Sequence, residues 1–254
     1  MHKIISIFLI IIFSSVAVHA QNGKDNESRL KNGEDLNMLY RNEASFSIFV
    51  HTAGGFGVGY RRGFHANAQR KRMFELEAQN FKHPKEVKST TDVGGSSKPF
   101  FYGKLNAFFI VRPGVGFEHV LYQKSDKKSI EIRFAYFLGG TINFAKPVYL
   151  EIKYDPSQTT TTVERYNPDI HNRNNIAGKA PGYIGIENTT IYPGGYAKIA
   201  FSFDYANRYN GLKGLETGAL VDVYPQVLPM MAYNKNQQVF VELYLKFLWG
   251  KKWF

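Results

Sequence analysis

The seventeen residues Gln238–Phe254, QVFVELYLKFLWGKKWF, decide how the rest of the chain is read. From Val239, the odd positions Val239, Val241, Leu243, Leu245, Phe247 and Trp249 are apolar, while the even positions include Glu242, Tyr244 and Lys246. A period of two means a strand with one apolar and one polar face. About ten such residues cross a bilayer at a slant. The last residue, Phe254, is aromatic, and the stretch predicts the closing strand of a membrane barrel.

Working backward, the same alternation recurs seven times. The runs are Ser45 to Thr52, Phe56 to Phe64, Lys71 to Phe81, Lys104 to Tyr122, Ile130 to Ile152, Ile199 to Tyr205 and Leu215 to Val223. With the closing strand they make eight, an even number. Of the seven connections, the outer ones lie near 53–55, 82–103, 154–194 and 225–237, three of the four long, and the inner ones near 65–70, 123–128 and 206–211 are all short, as membrane barrels require. The expected fold is all-β, an eight-stranded antiparallel up-and-down transmembrane β-barrel over 44–254. The stretch 155–193, with Thr159 to Thr162 and four prolines, reads as irregular loop.

Upstream, Lys3, the apolar run Ile4 to Val18 and Val18-His19-Ala20 form a secretory signal peptide over 1–20, with cleavage expected after Ala20. Residues 21–43 are polar and read as a flexible periplasmic segment. No second long apolar run follows. Without cysteine an exported chain has neither a disulfide framework nor a Cys-based zinc site. The formal charge of +11 in an exported protein points to phosphate on lipid headgroups or lipopolysaccharide, not to nucleic acid. An aromatic content of 15% beside a mean hydropathy of −0.30 suits a wall that meets lipid on one face and a polar lumen on the other.

Energetics chooses between the two membrane orientations. Turning the polar parity to lipid would expose Arg133, Lys198 and Lys246, at about 2 to 4 kcal/mol each near the midplane. The polar parity therefore faces inward, and the expected lumen holds Arg61, Arg112, Arg133, Lys198 and Lys246 with Glu75, Glu77, Glu118, Glu131, Asp204, Glu216, Asp222 and Glu242. Eight strands leave an interior just wide enough for side chains, so these charges predict a plugged lumen and not a pore. A soluble lipocalin-like carrier, with the apolar parity inward, is the alternative within the same alternation. A second set of cations, Arg62, Arg70, Lys71, Arg72, Lys124, Lys127, Lys128, Lys251 and Lys252, clusters at the short turns and the chain end and reads as a periplasmic basic rim beside lipid headgroups.

Phe81-Lys82-His83-Pro84-Lys85-Glu86, Tyr102-Gly103-Lys104-Leu105-Asn106, Arg112-Pro113-Gly114-Val115-Gly116 and Lys146-Pro147-Val148-Tyr149-Leu150 resemble segments of a group of small, largely uncharacterised outer-membrane β-barrels of the Bacteroidetes. A looser similarity of architecture reaches OmpA-type barrels and the small barrels associated with type IX secretion. The resemblance implies location in the outer membrane of a Gram-negative bacterium with periplasmic termini, contact with the assembly machinery through the terminal aromatic Phe254 as assembly signal, and a periplasmic or secretion-system protein as a partner. It brings no activity with it. A lipid-modifying enzyme would need His with Ser or Asp near the outer rim. The candidates Ser47 with His51, and Asp169 with His171, read as hydrogen-bonded polar residues. His65, His83, His119 and His171 lack the spacing of a metal site. The chain is thus expected to be non-enzymatic, without metal or cofactor, and structural or accessory to envelope assembly or secretion.

Overall fold

The computed structural model describes residues 42–67, 70–90, 98–123, 129–155, 160–206 and 211–253. The signal peptide, the segment 21–41, Lys124, Lys127, Lys128 and Phe254 lie outside them. In chain order the strands are β1 (Asn42–His51), β2 (Gly55–Asn67), β3 (Arg70–Phe81), β4 (Lys88–Ser89), β5 (Phe100–Phe101), β6 (Asn106–Tyr122) and β7 (Glu131–Pro147). There follow β8 (Tyr149–Ile152), β9 (Thr162–Arg165), β10 (Ile176–Lys179), β11 (Thr190–Asp204), β12 (Gly211–Val223) and β13 (Val239–Trp253).

Eight of these close a barrel in the order β1-β13-β12-β11-β7-β6-β3-β2, every neighbour antiparallel. Closure pairs the first strand with the last, Asn42 against Trp253 and His51 against Tyr244, so no edge is left open. The alternation becomes inside and outside. In β3, Glu75, Glu77 and Gln79 are buried while Phe74 and Leu76 are exposed at 56% and 49%. Ile48, Val58, Val115, Leu138, Ile199, Val241 and Leu243 are all outward and at least half exposed. A lipocalin would place these side chains in its interior; this wall turns them out as a belt that only a bilayer can cover without cost. Toward the terminal end the belt carries ring pairs, Phe46–Tyr60 and Phe134–Phe201 with centroids 5.1 Å apart, Phe64–Phe74 at 6.1 Å, and the exposed Trp249. Of these, Tyr60 and Trp249 are the amphipathic kind of ring that suits a membrane interface.

At the opposite end the long connections are folded. The stretch 155–193, read from sequence as irregular, contributes β9 and β10 to a three-stranded sheet in the order β10-β8-β9, and β11 already begins at Thr190. Pro147 is the reason the long fifth run divides. It has no N–H to continue the ladder, so the chain leaves the barrel there and re-enters a sheet as β8, whose Leu150 and Ile152 pack with Phe100, Tyr166, Ile176 and Ala232. The loop 82–103 likewise holds the short pair β4 and β5. Pro113, inside β6, is exposed outward, and it falls in the gap of the β6–β7 pairing between Val111↔Ile142 and Gly114↔Gly139, where a proline has no N–H to give.

Candidate functional site

The lumen is the chemically dense part of the molecule, and it is built in tiers. In the tier nearest the termini, Arg133 reaches Glu131 (2.5 Å), Asp204 (3.0 Å), Glu118 (3.1 Å) and Glu43 (3.2 Å). Lys71 bridges Glu43 (2.8 Å) and Glu118 (3.2 Å), and Lys252 Nζ donates to Asp204 Oδ2 at 3.1 Å. Two assignments are thereby corrected. Lys71 belongs to the lumen and not to the basic rim, because it shares the parity of Glu75; Lys252 closes the lumen mouth for the same reason on β13. Glu43 was placed in the flexible segment, but it lies in β1 and is 2% exposed. The barrel begins at Asn42, not Ala44.

The middle tier is centred on Arg61. Its guanidinium grips Glu75 (2.5 and 2.9 Å) on one side and Glu216 (2.7 and 2.9 Å) on the other. Ser202 Oγ and Tyr244 OH donate to the same Glu216 at 2.6 and 3.0 Å. Lys198 pairs with Glu75 and Glu77, and Lys246 with Glu77, Glu75 and Glu216. In the third tier Arg112, fully buried, holds Asp222 and Glu242, while Gln79 donates to Glu242 at 2.9 Å and His51 Nδ1 lies 3.1 Å from it. His51 Nε2 donates to the Asn80 carbonyl at 3.0 Å, and Ser47 is not among its partners.

All thirteen lumen residues named from sequence are thus placed inside; the first two tiers meet where Arg61 Nη1 lies 4.0 Å from Glu118, and Arg112, Asp222 and Glu242 form a cluster of their own. Sequence reasoning missed two components. The first is aromatic: beside Tyr244, already on the polar face of the closing strand, Phe49, Phe137 and Tyr196 also point inward. Arg61 lies 4.7 Å over Phe137, Lys198 4.6 Å over the same ring, and Lys246 5.1 Å over Phe49. These cations are attracted by ring faces as well as by carboxylates. Inward glycines make the room. A Cβ at Gly57 would stand 2.3 Å from Phe49 Cζ, and one at Gly114 would stand 2.0 Å from the Tyr196 hydroxyl. The second component is an apolar plug above the third tier, made of Phe81, Phe108, Ile110, Ala145, Tyr224, Leu228, Met230 and Met231. Asn236 pins the plug loop by accepting from the Met230 and Met231 N–H groups at 3.0 and 3.2 Å, and Asn106 donates to the Pro229 carbonyl at 2.7 Å. The space between Glu43, Arg61, Glu118 and Arg133 is only about 10 Å³, roughly one water.

Among the described residues, the remaining rim cations are outward. Arg62 stacks over Phe64 (5.4 Å) and Trp253 (5.5 Å), Arg70 over Phe117 (5.7 Å), and Arg72 and Lys251 are exposed. On the loop side, His171 Nδ1 accepts from the Asn167 N–H at 3.0 Å, with Nε2 3.3 Å from Glu164. The Tyr154 hydroxyl, donating at 2.8 Å, holds the Glu164 carboxyl below the usual carboxylate range. Asp169 does not join them: its N–H donates to Asn167 Oδ1. Among the described residues no three His, Cys, Asp or Glu side chains form a metal-binding group.

No protein-family model matches the chain. No curated protein is significantly similar to it. Among solved structures it is similar to Ail, the attachment invasion locus protein of Yersinia pestis, in complex with the heparin analogue sucrose octasulfate, at 8% identity over 84% of this chain and 97% of that one, TM-score 0.42. A second structure of Ail gives 7% identity over 85% and 100%, TM-score 0.41. Neisserial surface protein A gives 10% over 84% and 94%, TM-score 0.40.

Proposed function

We infer that this chain is an integral outer-membrane barrel of a Gram-negative bacterium, non-enzymatic, and structural or accessory to envelope assembly or secretion through its loops and rim. Its termini lie in the periplasm, following a cleaved signal peptide and a flexible lead-in segment, and its affiliation is with the small Bacteroidetes barrels. The observation that carries the reading is the pairing of an outward apolar belt with a lumen closed by ion pairs: a wall made for lipid around a centre that passes nothing. Work is therefore left to the two ends. The terminal end offers Arg62, Arg70, Arg72 and Lys251 to headgroups or to a periplasmic protein, and the other end offers a folded cap. The assembly machinery and outer-membrane lipid, including lipopolysaccharide, are the expected partners, with Phe254 as the assembly signal.

Heat-modifiable gel migration together with membrane fractionation tests the reading; a chain that stays soluble and migrates identically before and after boiling refutes it. Planar bilayers test the closed lumen, where steady conductance steps count against it. Mass spectra of lipid A with and without the protein test the non-enzymatic assignment, and a changed acyl pattern overturns it.

A further inference from the structure

At the loop end of the barrel a cleft of about 450 Å³ opens between the turn after β1, the segment after β3 and the plug loop before β13. One wall is apolar, formed by Phe81, Met230 and Phe240 together with Val241, which at 67% exposure belongs to the outward belt. The other wall carries His83, Lys85 and Lys235. Lys85 Nζ donates to Asn234 Oδ1 at 3.0 Å, a bond that positions the ammonium without neutralising it. His83 Nδ1 accepts from the Lys85 N–H at 3.1 Å, which leaves Nε2 as the donor of the neutral ring, and burial pushes this imidazole down.

The carboxylates nearby are already engaged. Glu86 takes Lys104 Nζ at 2.6 Å and the His83 N–H at 3.0 Å. Glu242, at the floor, is held by Arg112, Gln79 and His51. No carboxylate among the described residues pairs with Lys85 or Lys235. A second cleft of about 290 Å³ shares Lys85 and Asn234 and adds Arg173, stacked 5.0 Å over Tyr102, as a further cation.

We propose that this cleft binds a phosphate-bearing lipid, with an acyl chain along Val241 and the apolar wall and the phosphate between Lys85 and Lys235. The inference rests on the reading that the outward belt faces a bilayer. A free anion would use only the cationic wall, and a neutral lipid only the apolar one. An amphiphile uses both, because Val241 ties the apolar wall to the belt and the cations line the opposite wall of the same cleft. The shared chemistry is a phosphate ester on an acylated molecule, found both in phospholipids and in phosphorylated acyl-saccharides.

The test takes the full barrel into phosphatidylcholine nanodiscs doped in turn with phosphatidylglycerol, phosphorylated lipid A or dephosphorylated lipid A, with inorganic phosphate as the chain-free probe. Lipid retained after release into detergent is counted by native mass spectrometry. Phosphorylated lipid is expected to be retained about tenfold over the dephosphorylated form, and the better retained of the two phosphate carriers identifies the source. The Lys85→Ala/Lys235→Ala double variant should lose that tenfold advantage. Ala53 also lines the cleft, packed against the Phe81 and Met230 cluster, and Ala53→Trp, which fills the apolar side without removing a charge, should lose it as well. Undiminished retention by the double variant overturns the site, as does inorganic phosphate displacing the bound lipid. Heat modifiability of the same samples separates the two readings: a chain that never inserts overturns the membrane assignment, whereas one that inserts and retains no phosphate lipid overturns the site alone.

Discussion

The two halves of the barrel interior are filled by opposite means. Toward the termini and through the middle, the cross-section is occupied by buried charges and the rings beneath them; toward the loops it is occupied by Phe108, Ile110, Leu228 and Met230. Both fillings exclude water, but they fail differently. An apolar plug loses stability in proportion to the volume removed. A buried charge network loses it when one partner is removed, because the survivors remain in a low-dielectric interior without compensation.

That difference can be broken experimentally, beginning with its centre. Arg112→Ala leaves Asp222 and Glu242 without their cation and should cost about 3 to 5 kcal/mol, read as a lower urea midpoint for unfolding from lipid. Replacing Arg112, Asp222 and Glu242 together by apolar residues of similar volume should recover most of that loss. If the triple variant is no better than Arg112→Ala, the charges are not a self-contained unit. In the plug, Leu228→Ala should cost about 2 to 4 kcal/mol. No conductance should appear with it, because the tiers below remain closed. Gly57→Ala drives a methyl group into Phe49 and to 2.9 Å from the Ala78 carbonyl and should cost about 1 to 3 kcal/mol, relieved in part in the Phe49→Leu background. The smallest effect belongs to the surface. Lys98→Ala removes the pair with Glu151 at 2.6 Å, whose lysine is 51% exposed, and should cost under about 1 kcal/mol and vanish in high salt. Salt should leave the Arg112 effect largely unchanged, since that guanidinium is fully buried.

Much of the lumen was legible because parity is a strict rule. Once Glu75 is inward, Glu77 must be, and so must Lys71; the lysine was misassigned only because its neighbours Arg70 and Arg72 are true rim residues. Glu43 falls on the parity of Ser47 and His51, but a run read from Ser45 leaves it in the polar segment before the strand. The inward aromatics were equally available, since Phe49, Phe137, Tyr196 and Tyr244 occupy polar-parity positions. Alternation searched as apolar against polar discards rings on the polar side, although a ring face is a reasonable partner for a buried cation.

The sequence by itself determined the period of two, the number of walls, the lengths of the links between them and which side chains share a face, because all of these follow from local backbone geometry and the cost of exposing charge to hydrocarbon. Tertiary structure alone decided which charges meet. Arg61 and Glu216 are 155 residues apart, and Arg112 and Glu242 are 130 apart. Their contact depends on the stagger with which the strands close, and no local signal carries that stagger. The same holds for the plug and the cleft beside it: loop residues acquire a partner only when closure brings their ends over the same opening.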